Sequence, residues 1–153
     1  MFIYRTGRKF NKKTVGLEDV KQSTLNIMMA QAKMDESEVD KNRQAILKIL
    51  KNKSYDQALN DFYREKDLDM LDSLTMLSSP KSFIKAMLFD RNIEMVKNMD
   101  SIMKTGSLFS AIGAAHLPGP NGVIELLRAK GYKVTPVFGN YTEKGKAAKK
   151  QIE

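Results

Sequence analysis

A long stretch of helical apolar periodicity, from residue 19 to about residue 104, limits the possible folds of this chain more than any other feature. Apolar residues recur there at steps of three and four, the spacing that puts side chains on one face of an α-helix. Asp19 is placed to cap the first helix, and Ser79-Pro80 is a start signal for the last. The pattern predicts five helices, which begin near Val20, Asp35, Tyr55, Leu68 and Pro80.

The last third of the chain has a different pattern. Residues 108–112 form a short apolar run typical of a buried strand, and a loop rich in glycine and proline follows at 113–122. Residues 123–130 read as a helix that Gly131 ends, and residues 132–138 alternate as a strand does. This order of elements predicts a βαβ unit with parallel strands.

We therefore expect an α/β fold. It would be rich in helix, with a small, mostly parallel sheet, a long helical insertion and a C-terminal βαβ unit. A third strand is predicted at residues 13–18. Three strands make a thin sheet, since a sheet usually has about five. We therefore expect an incomplete domain, whose other part has been truncated or is supplied by a second chain.

Composition excludes several classes of site. The 153 residues, a length that fits one domain, include no cysteine, so thiolate zinc sites, iron–sulfur clusters and cysteine nucleophiles are ruled out. The sequence has no apolar run long enough to span a membrane and no signal-peptide pattern at its start.

The formal net charge of +8 is concentrated at the two ends. Residues 1–14 hold five basic residues and no acidic one, and residues 143–153 hold four lysines and two glutamates. The sequence thus divides into a basic N-terminal segment (1–14), a nearly neutral domain (15–140) and a basic tail (141–153). Because lysine-rich ends are usually solvated, this distribution argues against binding to nucleic acid or to an anionic membrane.

His116 is the only histidine, and it follows the predicted strand at 108–112. Ligands collect at the carboxyl ends of parallel strands, so the position suits a site. Glu18 ends the predicted strand at 13–18 and would emerge at the same sheet edge. A carboxylate beside an imidazole can bind a divalent metal or act as a general base. Alternatively, His116 bonds its own loop and Glu18 stabilises the start of the next helix.

Arg91 interrupts the apolar stripe of the fifth predicted helix. A guanidinium cannot lose its proton to escape burial, so it requires an acid or a bound anion unless it reaches solvent. Glu18 is a candidate partner, and a structural salt bridge and a substrate clamp both remain open. The methionines along the helical stripes are interpreted as core residues.

A set of short motifs occurs in order along residues 13–138 and resembles the C-terminal half of the TraB/GumN family, which includes pheromone-shutdown proteins and is similar to the Tiki metalloproteases. The last motifs, from loop to helix to strand, are the most specific. The set comprises Gly16-Leu17-Glu18 with Gln22, Asp90-Arg91-Asn92, Gly113-Ala114-Ala115-His116-Leu117, Gly119, Gly122 and Leu126-Leu127 before Gly131-Tyr132.

The resemblance implies a site with two Gly-x-x-His segments, one in each half of the domain. It would make His116 a metal ligand, Glu18 a ligand or general base, and Arg91 a clamp on substrate or transition state. Gly113 would shape the turn that holds His116, and both Gly113 and Asn92 would join Arg91 in binding substrate. This sequence departs from the pattern because it has no earlier Gly-x-x-His.

Two functions follow as expectations. In the first, the chain is the C-terminal part of a metal-dependent hydrolase of peptides, with a divalent metal as cofactor. A catalytic metal usually takes three protein ligands, so the chain alone would bind metal weakly and hydrolyse little. The missing half of the domain or a second chain would complete it. In the second, the glycine loop around His116 is a non-catalytic module that binds a peptide or an anion. The resemblance favours an exported or membrane-associated protein.

Overall fold

A computed structural model describes residues 2–35 and 37–137 of the chain. Every regular element in those residues is helical. A π-helical turn, Lys85–Phe89, joins two of the helices, and a 3₁₀ turn, Ala114–His116, precedes the last one. The helices are α1 (Phe2–Lys9), α2 (Val20–Ala32), α3 (Ser37–Leu50), α4 (Tyr55–Glu65), α5 (Leu68–Ser78), α6 (Lys81–Ile84), α7 (Asp90–Met103) and α8 (Val123–Ala129).

The five helices predicted between residues 19 and 104 are confirmed, because local capping and the apolar stripes specify them. The Asp19 side chain accepts hydrogen bonds from the backbone amides of Lys21 and Gln22, as an N-cap does. The start of the fifth helix differs in detail from its prediction. Pro80, not Ser79, is its N-cap residue, and no side chain caps it.

The predicted α/β fold is wrong. Residues 13–18, 108–112 and 132–137 form no strand, so the described residues contain neither a sheet nor a βαβ unit; residue 138 of the third predicted strand lies outside them. The apolar side chains of these segments instead pack around the buried cluster of α7 and α8. An apolar run indicates burial, whereas a strand also requires backbone hydrogen bonds to a neighbouring strand, and none of these segments pairs in that way. The packed side chains include Leu17, Leu108, Ile112, Tyr132 and Val134.

The core lies along the continuous helix from Lys81 to Met103. Residues of α7 and α8 form the buried cluster Met95, Val96, Met99, Val123 and Leu127. On the other side, α3, α4 and α5 pack together, α5 contacts the 3₁₀ turn, and α2 contacts the π-helical turn. The π-helical and 3₁₀ turns therefore lie where these groups of helices meet.

The basic N-terminal segment is helical over α1, which the sequence analysis did not predict. The basic tail at 141–153 lies outside the described residues. No helix in the described ranges is both long and apolar enough to cross a membrane.

Candidate functional site around His116

His116 is buried at the end of the 3₁₀ turn, with 8% of its surface exposed. Its Nδ1 lies 2.6 Å from Oδ1 of Asn92 on α7. An amide oxygen can only accept a hydrogen bond, so Nδ1 must carry the proton and donate it. In the neutral ring this leaves a lone pair on Nε2, which has no hydrogen-bond partner among residues 2–35 and 37–137. The ring is therefore oriented as a base or ligand through Nε2.

The orientation of the Asn92 amide is fixed from its other end. Nδ2 of Asn92 donates to the carbonyl of Asn121 at 2.8 Å, so Oδ1 must face the histidine. The Asn92 side chain is almost fully buried, with 2% exposed. Asn92 thus links α7, the loop before α8 and His116.

Glu18 and Arg91 form the salt bridge that the sequence analysis anticipated. Nε of Arg91 donates to Oε2 of Glu18, and Nη2 donates to Oε1, both at 2.7 Å. The Ser23 hydroxyl also donates to Oε2, at 2.9 Å. Both charged side chains are partly buried, with 24% of Arg91 and 16% of Glu18 exposed. A two-pronged contact of this kind orients both groups.

The charges of this cluster act on one another. The hydrogen bonds from Arg91 hold the pKa of Glu18 below its ordinary value, although partial burial opposes them. The same bonds raise the pKa of Arg91. Burial lowers the pKa of His116, the charge of Arg91 adds to that effect, and the charge of Glu18 opposes it. Burial and the charge of Arg91 therefore favour the neutral form of the His116 ring.

The π-helical turn lies directly before Arg91 and Asn92. Nη1 of Arg91 donates to the carbonyl of Met87, within that turn, at 3.0 Å. Consecutive helical residues point about 100° apart. Arg91 therefore reaches Glu18 while Asn92 reaches His116, so two adjacent positions serve the two halves of the cluster. Glu18 and His116 are brought near each other by α7 and not by a shared sheet edge.

The cluster does not form a metal site by itself. No group of three or more side chains of the metal-binding types lies together in the described part of the chain. Both oxygens of Glu18 are already hydrogen-bonded to Arg91. One imidazole nitrogen is too small a donor set for a catalytic metal. Metal binding by His116 and Glu18 therefore stays a prediction that requires ligands from outside these residues.

The loop around His116 depends on glycines other than Gly113. Gly113 has an ordinary backbone conformation, and a Cβ there would make normal contact with the His116 ring at 3.6 Å. At Gly122, which precedes α8, a Cβ would lie 2.0 Å from the carbonyl oxygen of Pro118. At Gly119, with φ of +77°, a Cβ would meet the Asp72 carboxylate at 3.1 Å. The close packing of the loop therefore requires Gly119 and Gly122.

Asp72 of α5 is a residue that the sequence analysis missed. Burial, together with the charge of Asp69, raises the pKa of Asp72. Its position against Gly119 makes it the carboxylate that faces the loop. The sequence contains no indication of this role, since nothing in it distinguishes Asp72 from Asp69, the other acidic residue in α5.

A cavity of about 670 Å³ opens beside the 3₁₀ turn. Its apolar wall is formed by residues of α5 and of the segment 112–117. Tyr63 and Arg64 of α4 also line the cavity, as does Lys66, the C-cap residue of that helix. The wall includes Leu68, Leu71, Ile112, Leu117, Arg64 and Lys66.

Comparison with known proteins gives one match. The model of the TraB/PrgY/gumN family matches residues 1–136, so this chain belongs to that family. The match includes α1 as well as the motifs of the resemblance and the cluster around His116. No curated protein and no solved structure matches the chain.

Proposed function

We propose that this chain carries part of a hydrolytic site for peptide substrates, with His116 at its centre. The observation that supports the proposal is the 2.6 Å contact between His116 Nδ1 and Asn92 Oδ1, because it places the proton of the neutral ring on Nδ1 and leaves the lone pair on Nε2. A neutral imidazole of this kind can accept a proton from an attacking water or bind a metal.

Arg91 would bind substrate in this proposal. Three of its five N–H groups are used by Glu18 and Met87, so two remain for a substrate carbonyl or carboxylate. Glu18 orients the guanidinium, and Asn92 orients the imidazole. The described residues supply too few metal ligands, so a metal-dependent reaction requires a second polypeptide segment that carries further ligands.

The test compares the chain alone with the chain mixed with a polypeptide that carries the other Gly-x-x-His segment of a family member. Zinc and manganese binding is measured by calorimetry, and cleavage is measured on a quenched fluorescent peptide library. We expect tight metal binding and cleavage only in the mixture, and loss of both in His116→Gln.

Asn98→Ala is the control for that test, because Asn98 also donates an amide hydrogen bond from α7, to the carbonyl of Leu17, but does not contact His116. It should retain activity, whereas Asn92→Ala should lose most of it. Peptide cleavage by the chain alone, or an inactive mixture that binds metal, would contradict the proposal.

A second candidate function is a non-catalytic peptide-binding module. The observation that favours it is the cavity of about 670 Å³ beside Gly113, which has an apolar wall. Such a cavity suits an apolar peptide segment.

Fluorescence anisotropy of a labelled apolar peptide distinguishes the two candidates. A module binds the peptide equally well with and without chelator and does not cleave it. Ala114→Trp, which adds a large side chain to the cavity lining, should abolish that binding. Binding that disappears in chelator would favour the hydrolase instead.

A further inference from the structure

We propose that α1, together with Phe10, binds the surface of an anionic membrane. This inference is independent of the proposed function, because α1 lies outside the cluster around His116. The helix has two distinct sides and contributes no residue to the core.

The two sides of α1 follow from its helical geometry. At about 100° per residue, Phe2, Ile3 and Phe10 fall within one arc, which also holds Thr6 and Gly7. Phe10 continues this arc because its backbone amide donates to the carbonyls of Thr6 and Gly7, both at 3.2 Å. The other side holds Arg5 and Arg8, together with Tyr4, whose hydroxyl accepts a hydrogen bond from Arg8, and Lys9 lies at the boundary beside Phe2. Phe2, Ile3 and Phe10 therefore share one side of the helix, and Arg5 and Arg8 lie on the other.

The apolar arc is uncovered. Phe2 is 81% exposed, Phe10 is 64% exposed, and Ile3 is 46% exposed. Large apolar side chains grouped on an exposed helix face are costly in water unless something covers them. The arc is thus a binding surface.

The charge of the segment selects the partner. Residues 1–14 carry five basic residues and no acidic residue. A short helix with basic residues on one side and aromatic residues on the other lies in the interface of an anionic bilayer, where the aromatic side enters the headgroup region. A nucleic acid would bind the basic arc but would leave the two phenylalanines exposed to water. Charge and apolar arc together therefore favour a lipid surface.

The test uses Phe10→Trp as a reporter, since the sequence contains no tryptophan. Vesicles of phosphatidylcholine alone are compared with vesicles that also contain about one third phosphatidylglycerol. We expect a blue shift of the emission only with the anionic vesicles, binding at least about tenfold tighter than to neutral ones, and weaker binding as salt is added.

Two charge-matched variants identify the surface. Arg5→Glu with Arg8→Glu changes the basic arc of α1, and should lower vesicle binding at least about tenfold. Lys41→Glu with Lys48→Glu makes the same change of net charge on α3, and should leave binding unchanged. Phe2→Ser should weaken binding without changing net charge, and circular dichroism verifies that each variant is folded.

Four results would overturn the proposal. They are an emission that anionic vesicles do not shift, equal binding to neutral vesicles, equal loss in the α1 and α3 variants, and tighter binding to duplex DNA or RNA than to anionic vesicles. A blue-shifted emission before vesicles are added, which increases with protein concentration, would also contradict it, because a second polypeptide would then cover α1.

Discussion

The proton on His116 is positioned by a neighbouring oxygen that can only accept a hydrogen bond. The oxygen of Asn92 accepts from Nδ1, and the amide of Asn92 is itself held by the carbonyl of Asn121. The state of the ring is thus set by packing as well as by solution pH. Because His116 is the only histidine, its titration can be followed without assignment problems.

We expect the pKa of His116 to lie below the ordinary imidazole value of 6.5, because burial and the charge of Arg91 disfavour the imidazolium. Asn92→Asp should raise that pKa, since a carboxylate beside Nδ1 stabilises the charged ring. NMR titration of the single histidine resonance measures both. Asn98→Asp makes the same charge change next to Leu17 and should move the resonance much less.

The same pKa has a consequence for stability. The unfolded chain binds a proton on His116 at a higher pH than the folded chain does, so the free energy of unfolding should fall as pH decreases below about 6.5. The decrease should stop below the folded pKa. His116→Gln should remove this part of the pH dependence, and a pH dependence identical to that of the wild type would contradict the burial argument.

A double-mutant cycle on Glu18 and Arg91 should give a coupling free energy of about 1–3 kcal/mol. Each single change, Glu18→Gln or Arg91→Met, leaves a partly buried group without its partner. The matched control is the exposed pair Lys53 and Asp61, with 52% and 36% of their side chains exposed. That pair should couple more weakly than Glu18 and Arg91, because solvent screens exposed charges, and urea unfolding measures both cycles. Equal coupling in the two pairs would show that partial burial has no effect.

Prediction of single contacts succeeded where a charged side chain on an apolar helix face needed a partner of opposite charge. Arg91 on an apolar stripe required an acid, and Glu18 was the candidate that the sequence offered. The contact of Asn92 with His116 could not be inferred in the same way, because a neutral amide fits a core or a surface and leaves no trace in the periodicity. Asp72 was missed for a related reason, since its burial depends on how the loop at Gly119 folds against α5.

At the scale of elements, the sequence specified helices well and strands poorly. Helix patterns combine caps and apolar periodicity within one segment, whereas a strand also requires a partner elsewhere. The run at 108–112 is apolar because it packs on the α7 and α8 cluster. Its apolar character does not determine whether its backbone forms a strand or a loop. The π-helical turn could not be predicted from the sequence either, because apolar residues spaced by four also occur in regular helices.

The loop before α8 offers a test at this scale. Gly122→Ala should lower the free energy of unfolding by at least about 2 kcal/mol, because the new Cβ would overlap the carbonyl of Pro118. Gly106→Ala is the control, since nothing lies within 4 Å of a Cβ there, and it should change stability by less than about 0.5 kcal/mol. Chemical denaturation measures both, and a tolerated Gly122→Ala would contradict the loop geometry.

At the scale of the whole molecule, stability should be unevenly distributed. The α7 and α8 cluster contains five buried apolar side chains, whereas α1 contains no buried residue. Amide hydrogen exchange should therefore be slowest in α7 and close to the unprotected rate in α1. Mass spectrometry of peptic fragments measures this difference. Equal protection of α1 and α7 would mean that α1 is covered in solution.

The π-helical turn at Lys85–Phe89 carries one implication for how this family can vary in length. A π-helical turn holds one residue more than an ordinary helical turn, so losing one residue there would restore regular winding and leave α7 facing nearly the same way relative to α6. Buried Ile84 before the turn and buried Asn92 after it would then still face inward together. Relatives with a single-position gap in this turn should therefore keep Asn92, whereas a gap of one residue elsewhere in the helix would rotate that position by about 100° and remove the oriented imidazole.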